Sequence, residues 1–257
     1  GWDMPDRDVA MINANSPSTA GVTYKTHLGN ILMAMSVHPT TGEVYVVGTD
    51  ATNEIRFEPN LKGKFLRVNV ARFTPAGSPT IIDLNPQINY SVSSSPPAVR
   101  QQAVGDPRGI AWKANGSKAY VTGMGSNNVI TISGTGARTT PDPIEVGEGP
   151  TGIVLDETNN RAYVLNKFGA SISTIDLSTD KETARTGFFD PTPQVIRVGR
   201  KRLCDTHLGS GHGHISCGSC HVDGRWDRLA WDLGNPAGAM VTVNDAAGNK
   251  TYHPMKG

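Results

Sequence analysis

The feature that most constrains the fold is an internal repeat with a period of 43 residues. Residues 106–133, DPRGIAWKANGSKAYVTGMGSNNVITIS, align without a gap to residues 149–176, GPTGIVLDETNNRAYVLNKFGASISTID. Tyr120 of the first copy corresponds to Tyr163 of the second. A fixed period of about 40 residues is typical of supersecondary units that stack on one another to bury their apolar faces.

Two further stretches resemble parts of this unit. Residues 33–59, MAMSVHPTTGEVYVVGTDATNEIRFEP, form a weaker copy in which Tyr45 takes the place of Tyr120, 75 residues earlier. An insertion rich in Pro and Ser, residues 59–101, accounts for the excess, and its segment KFLRVNVARF predicts an extended hairpin that leaves the repeat pattern. Residues 7–16, RDVAMINANS, resemble only the closing strand of a unit.

Within each copy the pattern predicts short antiparallel strands. Segments such as KAYVTG, NVITIS, RAYVLN and SISTID are rich in β-branched and aromatic residues, and turns such as NGSK and ETNNR separate them. Four such strands in about 43 residues predict a β-propeller blade, so the fold class is mainly β. A closed propeller has roughly 4–8 blades. We therefore expect this chain to be a piece of a longer protein, or its blades to be completed by another segment.

The AYV tripeptides at residues 119–121 and 162–164, with VYV at residues 44–46, resemble the YVTN family of β-propeller repeats. The resemblance extends over residues 3–193 and implies architecture rather than chemistry. The offset of 43 residues predicts that Tyr120 and Tyr163 occupy equivalent core positions in consecutive blades.

A change of composition after Arg197 predicts a second module. Alternating strands give way to Gly, His, Asp and Trp. We divide the chain into propeller blades over residues 1–197 and a small, mostly α-helical domain over residues 198–257.

The second module contains the pentapeptide C-G-S-C-H, in which Cys217 and Cys220 are followed directly by His221. This is the attachment pattern of c-type haem. Two thiols three residues apart on one helical turn reach the two vinyl groups of one porphyrin, and the next imidazole reaches the iron. The pattern predicts one covalent haem c with His221 as the proximal iron ligand.

Two other interpretations of these cysteines remain open. A redox dithiol also has the form C-x-x-C, but it expects a thioredoxin-like βαβ setting that the sequence does not show. Zinc is the stronger alternative, because Cys204 and His207 with Cys217 and Cys220 supply a Cys₃His ligand set.

The sequence around the pentapeptide resembles the opening of the haem domain in the bacterial di-haem cytochrome c peroxidase and MauG superfamily. The matching positions are Gly199, Leu203, Asp205, Leu208, Gly213, Ser216, Cys217, Cys220 and His221. LAWDLGNP, residues 229–236, and HPMKG, residues 253–257, are similar to segments of the same group. Cys204 departs from the pattern, which expects an aromatic residue there, and we interpret it as a small buried apolar group.

The other candidate ligands are less well specified. Met255 is the predicted distal iron ligand, with Met240 or a residue beyond position 257 as alternatives. His207 and His212 are expected to face solvent, and His214 is too close to Cys217 to reach the opposite haem face. Trp226 and Trp231 are interpreted as packing on the porphyrin edge or in an ordinary core. A group of oxygen donors is interpreted as a solvated acidic face, with a calcium site as the alternative: Asp223, Asp227, Asp232 and Asn235.

These patterns predict a c-type electron-transfer cytochrome whose propeller serves as a docking platform for a redox partner or for other subunits. One C-x-x-C-H motif implies one haem, whereas a peroxidase of the resembled superfamily needs two, so oxidoreductase activity would require a second haem outside this segment. The alternative is a secreted binding module with a structural zinc site.

Charge and hydropathy exclude two classes of partner. Lys and Arg number 24 against 23 Asp and Glu, which gives no electrostatic basis for binding nucleic acid, and no apolar run is long enough to span a bilayer. The haem resemblance implies a periplasmic or extracellular location in a bacterium.

Overall fold

The computed structural model describes part of the chain. The described residues are 6–18, 21–51, 66–92, 94–225, 241–245 and 248–252, the last two ranges as backbone only.

Three four-stranded antiparallel sheets dominate the described structure, and in each the strands pair in chain order. We call them blades A, B and C. Blade A contains β3 (Ile31–Val37), β4 (Val44–Ala51), β5 (Leu66–Phe73) and β6 (Thr80–Asp83); blade B contains β7 (Pro107–Trp112), β8 (Lys118–Gly123), β9 (Asn128–Ser133) and β10 (Ile144–Glu145); blade C contains β11 (Pro150–Asp156), β12 (Arg161–Asn166), β13 (Ser171–Asp176) and β14 (Lys181–Gly187). The prediction of a mainly β chain built of propeller-type blades is confirmed.

The turns within the blades form where the sequence supplies residues that tolerate positive φ. Gly116 between β7 and β8 has a φ of 70°, and Asn160 between β11 and β12 has a φ of 55°. Glycine and asparagine adopt this left-handed conformation at low cost, which lets the chain reverse within a few residues. The predicted turns NGSK and ETNNR are therefore hairpin turns.

The blades stack face to face through two cores of buried side chains. Tyr45 of blade A packs with Ala119 and Val121 of blade B, whereas Tyr120 of blade B packs with Ala162 and Val164 of blade C. Blade B thus presents alternate residues of its second strand to the two neighbouring sheets, Ala119 and Val121 to blade A and Tyr120 to blade C, as the period-2 geometry of a strand requires.

Tyr120 and Tyr163 occupy equivalent positions in consecutive blades, as predicted, but the prediction that both lie in a core holds for Tyr120 alone. Tyr120 is paired with Ala111 and Thr131, and Tyr163 is paired with Val154 and Thr174. Their environments differ, because Tyr120 is fully buried and Tyr163 is only half-buried. Tyr163 lies on the face of blade C that points away from blade B.

The insertion differs from its prediction. The segment KFLRVNVARF contains β5, which is the third strand of blade A and pairs with β4 along its whole length. The third strand of blade A is thus supplied by residues that the sequence assigned to the insertion. Residues 84–106, which follow blade A, include the short helix α1 (Pro97–Gln101). A pairing partner 15 to 29 residues away, as from Ala51 to Leu66 and from Val44 to Phe73, cannot be identified from local periodicity.

The first hairpin packs against blade A. Strands β1 (Val9–Met11) and β2 (Thr23–Lys25) form a two-stranded antiparallel sheet. Val9 lies against Val46 and Phe73, on the face of blade A opposite to Tyr45. Within the described residues this sheet has two strands, so the resemblance of residues 7–16 to the closing strand of a unit stays a prediction.

The chain after blade C forms a helical segment, residues 194–225. It contains α2 (Gln194–Cys204), α3 (Thr206–Gly209), α4 (Cys217–Cys220) and a 3-10 turn over Val222–Gly224, followed by the hairpin of β15 (Val241–Asp245) and β16 (Gly248–Tyr252). The small helical part that was predicted after the blades is present. The predicted domain boundary at residue 197 lies within α2 and stays a prediction.

Candidate functional site

The C-x-x-C-H pentapeptide forms a single helical turn. The backbone N–H of His221 donates to the carbonyl of Cys217 at 2.9 Å, and the N–H of Ser216 donates to Oγ of Ser219 at 3.0 Å. Cys217 is exposed, Cys220 and His221 are half-buried, and neither cysteine is in a disulfide. Both thiols are thus held at the two ends of one turn, with the imidazole on the residue that follows.

His221 lines a cavity of about 580 Å³ between the helical segment and the ends of the blades. Its apolar lining includes the side chains of Met33, Met124, Phe168 and Leu203. Two of these side chains are thioethers, which are ligands for haem iron in many cytochromes. Neither methionine was predicted from the sequence to belong to the site.

The first strand of each of the three blades contributes one residue to this cavity. In each case that residue lies where the pairing register with the second strand shifts. The pairing shifts between Leu32 and Ala34, between Pro107 and Gly109, and between Pro150 and Gly152. The residues at the three irregularities are Met33, Arg108 and Thr151, and all three line the cavity. A bulge redirects a side chain out of the strand's alternation, which is why these positions converge.

The charged side chains around the cavity are mostly cationic. Arg108, Lys167 and Arg200 line it, against the single carboxylate of Asp223. Arg108 donates to both carboxylate oxygens of Asp223, at 3.2 and 3.4 Å. The guanidinium of Arg200 stacks on Phe168, 5.0 Å from the ring centroid.

A buried carboxylate connects the pentapeptide to blade B. Asp106, which precedes β7, is 1% exposed and accepts a hydrogen bond from Oγ of Ser216 at 3.3 Å. Burial raises the pKa of Asp106 to about 6, although hydrogen bonds from Ser219 and Ser216 and the charge of Arg108 act in the opposite direction. Its Oδ1 has no hydrogen-bond partner among the described residues.

The four residues of the zinc alternative are not gathered around one point. His207 is half-buried, and its Nε2 lies 3.2 Å from the carbonyl of Ala103. No three His, Cys, Asp or Glu side chains within the described ranges are close enough to share a metal ion. The structure therefore gives no geometric support to a Cys₃His tetrahedron.

Cys204 is half-buried at the end of α2 and lines the cavity beside Gly218. Burial raises the pKa of its thiol, which keeps it protonated and apolar at neutral pH. This agrees with its interpretation as a small apolar group, although it is less enclosed than expected.

The prediction that His212 faces solvent is wrong. His212 is 1% exposed, and its Nδ1 lies 2.9 Å from Oγ of Ser95. His214 is fully buried, with Nε2 3.1 Å from the carbonyl of Leu66, and burial lowers its pKa to about 3. Both histidines anchor the helical segment to blade A and to the chain that follows it, a role that their loop-like local sequence does not indicate.

Several predicted residues lie outside the described residues. They are Met255, Met240, Trp226, Trp231, Asp227, Asp232 and Asn235. Asp223 is described, and its exposed carboxylate pairs with Arg108 rather than standing alone as part of a solvated acidic face.

Comparison with known proteins supports the fold alone. No family model matches the sequence, and no curated protein matches it. Hydrazine synthase from Kuenenia stuttgartiensis is similar in structure, with 15% identity, a TM-score of 0.50, and 65% of this chain and 54% of that chain covered. Virginiamycin B lyase from Staphylococcus aureus has 20% identity and a TM-score of 0.43, with 72% of this chain and 49% of that chain covered.

A functionally unknown protein from Desulfotomaculum acetoxidans DSM 771 has 16% identity and a TM-score of 0.45, with 70% of this chain and 49% of that chain covered. This chain thus spans about half the length of the structures it matches. The likeness to them is a propeller-like arrangement of blades. Within the described part of the chain, no helix combines the length and the apolar character needed to cross a bilayer.

Proposed function

We propose that the chain binds one haem c covalently through Cys217 and Cys220, with His221 as a ligand of the iron, and that it transfers single electrons. The observation that carries this proposal is the geometry of the pentapeptide turn, which holds two thiols on one helical turn and is followed by His221, a residue that lines the cavity. Thioether formation needs two sulfurs on one side of the porphyrin, and a C-x-x-C turn supplies them.

The donor set and the lining of the cavity fit such a group. A haem presents an apolar macrocycle and two carboxylates, and the cavity offers aromatic and aliphatic side chains together with three cations. Met33 and Met124 are the thioether side chains that line it. The bound group would supply a one-electron couple, while the blades hold the pocket walls and exclude water from one side of it.

The partner and the location follow from this proposal. One C-x-x-C-H motif accounts for one haem, which is sufficient for electron transfer to a redox protein docked on the blades or on the exposed end of the turn near Cys217. A peroxidase-like or oxidase-like activity would need a second haem from other sequence. Because c-type haem is attached outside the bacterial cytoplasmic membrane in the resembled superfamily, we infer a periplasmic or extracellular protein.

The test is to count covalent haem in the full chain produced together with a c-type haem maturation system. A reduced pyridine haemochrome spectrum and the intact mass of the denatured protein should show one haem per chain. The double variant Cys217→Ser/Cys220→Ser should lose all of the haem that survives denaturation, because no sulfur remains to hold it.

Cys204→Ser is the matched control, since it removes a cysteine that lines the cavity and that the proposal does not use for attachment. It should keep one haem per chain. A colourless wild-type protein, or equal haem content in the double variant, would rule the proposal out. His221→Ala should abolish the low-spin spectrum of the wild type whether or not haem stays attached.

A further inference from the structure

The cavity is lined by more cations than carboxylates. Arg108, Lys167 and Arg200 line it together with one carboxylate, that of Asp223, which pairs with Arg108. Lys167 and Arg200 have no carboxylate within salt-bridge distance among the residues described here. One haem has two propionate carboxylates.

Arg108 is the best-defined of these cations. Its side chain is only 15% exposed, whereas that of its partner Asp223 is 61% exposed. Its Nε is buried and has no acceptor among the described residues. Burying a guanidinium with an unsatisfied donor is unfavourable unless an anion binds there, because the lost hydration must be replaced.

The position of Arg108 is set by the architecture. It occupies the bulge of β7, at the place that Met33 occupies in β3 and Thr151 occupies in β11. Of these three equivalent positions only the one in blade B has a charge. Arg200 approaches the same cavity from α2, where its guanidinium stacks on Phe168 and donates from Nη2 to Oγ1 of Thr192 at 3.4 Å.

Resting on the proposed function, we propose that Arg108, Lys167 and Arg200 form the binding site for the two propionate carboxylates of the haem. A guanidinium binds a carboxylate through two parallel hydrogen bonds, which positions it as well as neutralising it. The blades would thereby orient the porphyrin within the cavity, in addition to enclosing it.

The test measures the midpoint reduction potential of the haem-loaded full chain in Arg108→Gln and Arg200→Gln. Arg197→Gln is the matched control, because Arg197 lies on the same helix as Arg200 but lines the neighbouring cavity. The covalent haem count is taken first for each protein and should be one per chain. Potentials are then compared at mildly alkaline pH, where propionates are ionised, in low and in high salt.

Removing a cation that neutralises a propionate favours the oxidised haem, which has the greater positive charge. In Arg108→Gln and Arg200→Gln the oxidised-to-reduced ratio at a fixed applied potential should rise about tenfold, equivalent to about −59 mV for a one-electron couple. High salt should leave most of this change, because contact pairs are screened less than distant charges. Arg197→Gln should change the ratio less than about twofold.

Two results would overturn the proposal. With one haem per chain, a shift in both site variants no larger than that of Arg197→Gln would show that these cations do not contact the propionates. A shift that disappears in high salt would show the same. If Arg108→Gln fails to fold, Arg200→Gln alone decides. A wild-type protein without covalent haem overturns the proposed function and, with it, this site.

Discussion

Asp106 occupies a costly position for a carboxylate, because it is enclosed between blade B and the turn that carries the cysteines. Its backbone φ of 48° is also in the left-handed region, which aspartate and asparagine tolerate better than most residues. The contact with Ser216 links the geometry of the pentapeptide to the entrance of β7.

Stability should therefore depend on the ionisation of Asp106. Its pKa is about 6 in the folded chain, against 3.8 for an ordinary aspartate, so the folded state binds the extra proton between these pH values. The stabilisation of the folded state by this group is fully present below about pH 4 and is lost as the pH rises to about 6. The free energy of unfolding should fall by about 3 kcal/mol over this range. Asp106→Asn should remove this dependence and raise the free energy of unfolding at neutral pH.

Urea unfolding between pH 4 and pH 7 measures this difference. Parallel curves of stability against pH for wild type and Asp106→Asn would contradict the assignment, because they would show that Asp106 titrates alike in both states. Asparagine keeps the size of the side chain and its tolerance of positive φ, so the comparison isolates the charge.

At the level of the strands, a tyrosine on the second strand of one blade connects it to the next blade. The hydroxyl of Tyr45 donates to the carbonyl of Gly134 in blade B at 2.8 Å. The hydroxyl of Tyr120 donates to Oδ1 of Asp180 in blade C at 2.6 Å. Tyr163 is the equivalent residue of blade C, on the face that points away from blade B.

Replacing these tyrosines by phenylalanine should give graded effects. Tyr120→Phe should lower the free energy of unfolding by about 2 kcal/mol, because the lost hydroxyl binds a carboxylate. Tyr45→Phe should lower it by about 1 kcal/mol, because the lost hydroxyl binds a neutral carbonyl. Tyr163→Phe is the internal control, at about 0.5 kcal/mol or less, as expected for a half-exposed side chain. Thermal or urea unfolding checks the order, and equal losses at all three positions would refute the inter-blade role.

For the whole molecule, the decisive contact is between the helical segment and the turn of blade B that joins β8 to β9. The N–H of Thr206 donates to the carbonyl of Gly125 at 2.8 Å, and Nδ2 of Asn127 donates to Asp205 at 3.2 Å. A Cβ on Gly125 would lie 2.6 Å from both Oδ2 of Asp106 and Cγ2 of Thr206. The absence of a side chain at Gly125 is therefore required for this close approach.

Gly125→Val should displace the helical segment from blade B. Overpacking at such a contact costs about 1–3 kcal/mol, and the exposed connection at Phe188 and Phe189 should become more susceptible to limited proteolysis. Gly199→Ala is the control, because nothing lies within 4 Å of its added Cβ. Alanine is also more favourable than glycine inside a helix by about 1 kcal/mol. Similar proteolysis of both variants would show that the segment does not depend on this contact.

Local sequence was sufficient for the blades and for the turn that carries the cysteines. Three patterns act within a few residues: strand alternation, turns such as that at Asn160, and the C-x-x-C-H spacing. Each of them can therefore be recognised without knowledge of the rest of the chain. A further local signal indicates the bulges that line the cavity. Gly109 and Gly152 recur near the start of equivalent strands, and glycine inside a strand often marks a bulge.

The composition of the cavity was decided by the tertiary structure. Met33, Arg108 and Thr151 are separated by 75 and 43 residues, and only the stacking of three blades brings their bulges to one place. The burial of His212 and the position of β5 likewise depend on partners far along the chain. Periodicity determines which face of a strand is apolar, whereas long-range pairing and packing determine what that face meets, because those contacts form only when the whole array of blades is assembled.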